Sequence, residues 1–347
     1  MLPSDETQVK RTIRGLSGKT RLEAELIALA YIGTIAAIAS ATGAFYILFP
    51  ELAALSYDVL GRPRGRWASA PFLLAITPVL TGTIGTIVTR SLPYGFASVL
   101  ITVGGAIAVL SVLRSPIAPA ISAGLLPLVL GVKSWWYPPG ILFDSALLAL
   151  ISNPWKRYTL EIADAEPPET TNVGIAEVDT IEITDVHTDG ANHDGDTTAI
   201  RWLAAIAIFV VVAVALVKVT GLRFILFPPL VVIAYEMFRH PVECPWSGQT
   251  LRLPLVCFLC ALGGFFFHAA IPNAPLAAIC SMAWGIAVLR SIRLHVPPAL
   301  AVALLPMVME HPTIKYPFTV LAGTALVAGW FGVFEMWTLK QRRRAQA

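Results

Sequence analysis

Charge is what this sequence has least of. Only 14% of its residues are Asp, Glu, Lys or Arg, against about 25% in a soluble domain, so a water-covered globule cannot be built from it. Cysteine is scarce too: Cys244, Cys257, Cys260 and Cys280 all fall in the second half. Cys257 and Cys260 form a CxxC inside an apolar run with no second ligand pair nearby, which reads as small residues in a helix rather than a metal or redox motif. No HExxH, Walker loop, GxGxxG or nucleophile elbow appears in a credible context, and none of the six histidines has metal-ligand spacing. The sequence therefore gives no sign of an enzyme, a cofactor or a metal. A basic patch with interleaved aromatics is also missing outside the tails, so no nucleic-acid partner is expected. The first twenty residues are polar and basic, without a short apolar core and cleavage site, so no signal peptide is read and the first helix is expected to be its own insertion signal.

What is abundant is apolar length. Hydrophobic residues make up 56% of the chain, in recurring runs of roughly 17–25 residues, the length that crosses a hydrocarbon core of about 30 Å. The runs are continuous rather than alternating, which excludes a barrel. The fold class expected is all-α: a multi-pass helical membrane protein, with the lipid bilayer as its surroundings and a plasma or inner cell membrane as its location.

One stretch occurs twice. Ala106–Pro138 aligns without a gap on Gly285–Pro317 at an offset of 298 − 119 = 179, and roughly two positions in five are identical. ILFPELAALSYDVLGRP likewise matches ILFPPLVVIAYEMFRHP at an offset of 178, placing Asp58 on Glu236. These matches predict two pseudo-symmetric repeats of about five to six helices each. The organisation expected is a basic cytoplasmic tail over 1–23, repeat 1 over 24–152, an acidic flexible connector over 153–199, repeat 2 over 200–338 and a second basic tail over 339–347. The connector carries eleven Asp or Glu against Lys156 and Arg157 between Pro154 and Thr198.

Two topologies are compatible with the pattern. If the short apolar stretches after Phe45 and Phe224 cross fully, each repeat has six spans and about 20 of the 25 basic residues lie on the cytoplasmic side. If they are re-entrant, each repeat has five, the halves are inverted, and the split is about 17 to 8. The positive-inside tendency favours the first.

The repeated unit places an arginine just before a proline-led helix start, RSPIAP and RLHVPP. A helix start offers unpaired N–H groups and the positive end of the dipole, a ready site for an anion. The candidate substrate-binding set is therefore Arg114, Ser115, Pro116 and Pro119 in the first copy and Arg293, His295, Pro297 and Pro298 in the second. The alternative for the arginines is an ordinary place in cytoplasmic loops. Asp58 with Arg62, and Glu236 with Arg239 or His240, have the spacing of helical ion pairs. Asp144 lies within a span while its counterpart near Thr319–Ala322 is apolar, which marks it as a functional candidate. Glu51, Glu310 and Glu335 fall near helix ends and rank below it.

At LHVPPALAVALLP, together with LFPPLVVIAYEMFRHPVECPWSGQ, the chain resembles the HPP family of membrane proteins. That family is named for a His-Pro-Pro turn opening an Ala- and Leu-rich helix, preceded by an FPxLGASA-like helix. Here Val296 separates His295 from Pro297-Pro298, the first copy has no histidine, and PLVVIAY and PELAALSY replace the Gly-Ala-Ser helix. Plant and cyanobacterial members are associated with nitrite transport. The resemblance implies a transporter-like protein with two family units on one chain, and a small inorganic anion as its substrate. A homo-oligomer is left open. The rival readings are a membrane scaffold or sensor that docks partners on the acidic connector, and a membrane-embedded enzyme acting on lipid or quinone.

Overall fold

The computed structural model describes residues 18–165 and 194–345. Among the described residues there are twelve α-helices and no strand. They are α1 (Gly18–Thr42), α2 (Glu51–Gly61), α3 (Pro71–Ser91), α4 (Phe96–Val112), α5 (Ala120–Leu130), α6 (Tyr137–Ala165), α7 (Asp194–Thr220), α8 (Pro228–Arg239), α9 (Arg252–Ala270), α10 (Ala274–Ile292), α11 (Pro298–Leu304) and α12 (Lys315–Ala345). Six of them, α1, α3, α7, α9, α10 and α12, carry stretches long and apolar enough to cross a membrane. The chain is thus a multi-pass helical membrane protein, as its composition predicts. Most of the acidic connector lies outside the described residues, but its flanks do not: α6 runs on past Pro154 to Ala165, and α7 begins at Asp194. Pro154 does not end α6. The first helix also starts earlier than expected, at Gly18.

Length sorts the helices by depth. Every residue of α11 and nearly all of α2, α5 and α8 are buried. The longer helices carry the exposed apolar side chains, among them Phe72, Val112, Leu150, Val219, Phe266 and Phe318. Four short helices therefore fill the centre and eight longer ones cover them and face lipid. Each short helix begins at proline: Pro50 and Pro119 precede α2 and α5, Pro228 opens α8, and Pro297-Pro298 leads α11. Proline is suited to a first turn, where its missing N–H leaves no bond unmade.

The short helices return the chain across the bundle. Trp202, near the start of α7, packs edge-on against Tyr235, near the end of α8, and lies beneath the Arg239 guanidinium. In the first half, Gly140 at the start of α6 sits beside Ile47, while Trp155 donates from Nε1 to the Leu60 carbonyl (2.7 Å). The segment from Ile47 to Leu60 thus accompanies α6 over fifteen residues, about 22 Å at 1.5 Å per residue. Both segments run back along a neighbouring long helix rather than turning midway.

Buried hydroxyls are kept off the apolar surroundings by bonding their own helices: Thr86 to the Gly82 carbonyl, Thr89 to Gly85, Thr102 to Ser98 and Thr324 to Val320. Two glycines set the closest approaches. A Cβ on Gly85 would strike the Gly124 carbonyl, and one on Gly264 would strike that of Ala303, so α3 lies directly on α5 and α9 on α11. The same spacing recurs elsewhere: Tyr137 donates to the Ala123 carbonyl (2.8 Å) and Tyr316 to that of Val302 (2.6 Å).

Candidate functional site

The central helices of one half pack against those of the other, α2 on α11 and α5 on α8, while α8 and α11 pack on each other within the second half. Buried polar side chains of α2 and α5 lie among them. Glu51, in the first turn of α2 and 1% exposed, accepts a hydrogen bond at Oε1 from the Ser122 hydroxyl of α5. Its Oε2 is buried without a protein partner. A second acid, Asp144 of α6, is wholly buried with both carboxylate oxygens unpartnered, while its backbone carbonyl accepts from Tyr31 (2.8 Å). Unpaired acids at membrane depth are costly and mark ion or proton pathways by default.

Seven residues further along α2, and therefore on the same face as Glu51, Asp58 meets the other half. Its Oδ1 lies 3.1 Å from His295 Nε2 and 3.8 Å from Arg62, and the imidazole stacks on Tyr57 at 5.8 Å. Two ion pairs also bridge the halves at this end: Glu25 with Arg290 (2.6 Å) and Arg66 with Glu243 (3.2 Å). His240 Nδ1 lies 3.8 Å from Glu243. Burial, seconded by Arg66, pushes the His240 imidazole down to about 4, more than Glu243 pulls it up. It is therefore neutral at pH 7, and this contact is not an ion pair there. The Glu25–Arg290 pair also lines a cleft of about 380 Å3 between α1 and α10.

The eight residues singled out from the sequence divide into groups. Arg114 and Arg293 take the left-handed backbone conformation (φ 49° and 54°), Arg293 as the C-cap of α10. Both side chains are exposed, and neither joins an ion pair among the described residues. Each closes the helix before it, one turn short of the start it was expected to flank. Ser115 is buried; its hydroxyl shares a hydrogen bond with Thr77 (2.9 Å) and accepts from the Ile117 N–H (3.3 Å). Pro116 lies in the linking turn, Pro119 and Pro297 are the N-caps of α5 and α11, and Pro298 is the first residue of α11. His295 alone of the eight reaches an ionisable group of the other half. Of the anticipated helical pairs, Asp58–Arg62 forms, whereas Arg239 donates to the Tyr235 hydroxyl (2.7 Å).

Sequence reasoning ranked Glu51 low because it stands at a helix end. The available signal was its partner at offset 178, Pro229: an acid facing a proline across otherwise matching segments. The four cysteines are all free, and no group of three or more His, Cys, Asp or Glu among the described residues could hold a metal ion. Compared with family models, curated proteins and solved structures, the chain matches none of them.

Proposed function

We propose that the chain is a cell-membrane transporter or channel for a small inorganic anion of nitrite's size, built from two copies of one helical unit and conducting along the seam where their short helices meet. The observation that carries this reading is the set of polar side chains inside that seam, Glu51 and Ser122 within it and Asp58 with His295 at its end. A bundle meant only to span lipid has no use for an acid with a buried, unpartnered oxygen. Arg114 and Arg293 stand at the same end as the ion pairs, carrying full charge that no acid among the described residues neutralises, and supply the attraction for an anion. The likeness to the HPP family supports the same choice of substrate. Glu51 is the group we assign to coupling, since an acid on the route can exchange a proton as the solute passes. The proposal takes six passes in each half, with both tails and the connector on one face, which the basic residues make the cytoplasmic one.

Uptake of nitrite, nitrate and formate into proteoliposomes, with and without an imposed pH gradient, tests the proposal. Uptake above protein-free vesicles that falls in Glu51→Gln is expected. If no anion moves under any gradient, the reading is wrong.

A further inference from the structure

At the end of the bundle opposite the ion pairs lies a cleft of about 340 Å3. It is lined by the α3–α4 turn, the end of α5 and the turn between α7 and α8, so both halves contribute. Three of its residues are cationic, Arg90, Lys133 and Arg223, and no carboxylate among the described residues lines it. Two of the three are held in place. Arg90 donates to the Lys133 carbonyl (2.6 Å) and lies over the Trp135 ring (5.2 Å), and Arg223 lies over the Tyr94 ring (5.6 Å). Tyr94 supplies an independent sign of a ligand: it lines the cleft, and its hydroxyl oxygen is buried with no partner among the described residues. Burial pushes this phenol up to about 12 despite the opposing pull of Arg223, so it remains a hydrogen-bond donor at any ordinary pH.

The cleft is not a by-product of the repeated sequence. At the offsets of 178 and 179, Arg90, Lys133 and Arg223 correspond to Ala269, Pro312 and Phe45. The position of Tyr94 is taken by Asn273, whose side chain caps α10 instead. Its level in the membrane is marked by Trp135 and Trp136, exposed by 52% and 71%, as in the aromatic belt at a headgroup boundary.

We propose that this cleft is a binding site for a phosphate group, with Arg90, Lys133 and Arg223 neutralising it and the Tyr94 hydroxyl donating to one of its oxygens. Guanidinium and ammonium groups converging without a counter-acid fit a tetrahedral oxyanion. Free phosphate and the phosphodiester of an acidic lipid share that chemistry. The site does not depend on the transport reading, because it requires no solute to cross.

The test is thermal unfolding of the purified full chain. It is titrated with inorganic phosphate in detergent, and compared in nanodiscs of phosphatidylcholine with and without phosphatidylglycerol. A rise in Tm with phosphate assigns a free anion, and a rise with phosphatidylglycerol alone assigns the lipid headgroup. In either case Arg223→Gln and Lys133→Gln should weaken apparent affinity by about tenfold each. Arg223→Lys and Arg201→Gln, the latter at the far end of α7, should keep the response. Tyr94→Phe, which removes only the hydroxyl, should reduce it without altering the fold. No rise with either probe, or an equal rise in wild type and Arg223→Gln, overturns the site.

Discussion

The first six helices and the last six share several packing contacts and differ in chemistry. What recurs is packing: the backbone contact at Gly85 and again at Gly264, the tyrosine bond at Tyr137 and at Tyr316, and the left-handed arginine at 114 and at 293. What does not recur is the pair of incompletely partnered buried acids, Glu51 and Asp144. Glu51, Ser122 and Asp144 correspond to Pro229, Ala301 and Gly323, and the cations of the phosphate cleft to Ala269, Pro312 and Phe45. Close packing penalises change at every contact, so both halves keep it. On the proposed route one such acid at each point suffices, and both lie in the first half, while His295 of the second half meets Asp58.

That contrast can be broken experimentally, and the largest effect is expected at its centre. Glu51→Gln should lower anion uptake by about tenfold or more, ~1.4 kcal/mol in the barrier, with the melting temperature kept, whereas Pro229→Ala at the matching position should leave uptake near wild type. Equal losses from both would remove the asymmetry. Next come the shared contacts. Gly85→Ala and Gly264→Ala should each destabilise the protein by about 1–3 kcal/mol, because a methyl group is forced on a backbone carbonyl. Gly104→Ala, where a Cβ meets nothing within 4 Å, should not. A large difference between the two close-packed glycines would argue that the halves do not share their packing.

The contacts between the halves are expected to matter less. Glu25→Gln strips the partner from Arg290, but that arginine's side chain is 43% exposed, so a loss of about 1–2 kcal/mol is expected rather than the 3–5 of a fully buried pair. Arg66→Ala, which breaks the exposed pair with Glu243, should cost no more than about 1 kcal/mol. His240 predicts a pH dependence at this same end. Its imidazole is held near 4 in the folded protein, below its ordinary value of about 6.5, so protonation favours the unfolded chain. Its contribution is full above pH 6.5 and is lost as pH falls towards 4. Unfolding followed from pH 8 to 4 should therefore show a smaller acid loss in His240→Gln than in wild type.

The helices were legible in the sequence because an apolar run of bilayer length has few other fates, and prolines fixed where the short ones start. The course of α2 and α8 was legible only as a preference, since the count of basic residues favoured full crossing over re-entry. Eleven or twelve helical residues look too short to cross, and only the contact of Trp155 with Leu60, and of Trp202 with Tyr235, shows how far those segments reach. The site was legible in part. His295 was marked and does meet the other half, but its partner Asp58 lies 237 residues away, and no local spacing encodes that distance. Arg114 and Arg293 were expected to flank helix starts and instead close the helices before them, since a charged residue before proline can serve either end. Glu51 was passed over because a helix end usually means solvent, whereas here the end itself is buried.

Labelling of Ser122→Cys, with the four native cysteines replaced, tests the seam most directly. The account predicts that a small, membrane-impermeant thiol reagent reacts with the introduced thiol in vesicles, and that nitrite slows the reaction. A thiol there that stays inert until the protein is unfolded would mean the seam is dry, and would contradict conduction through it.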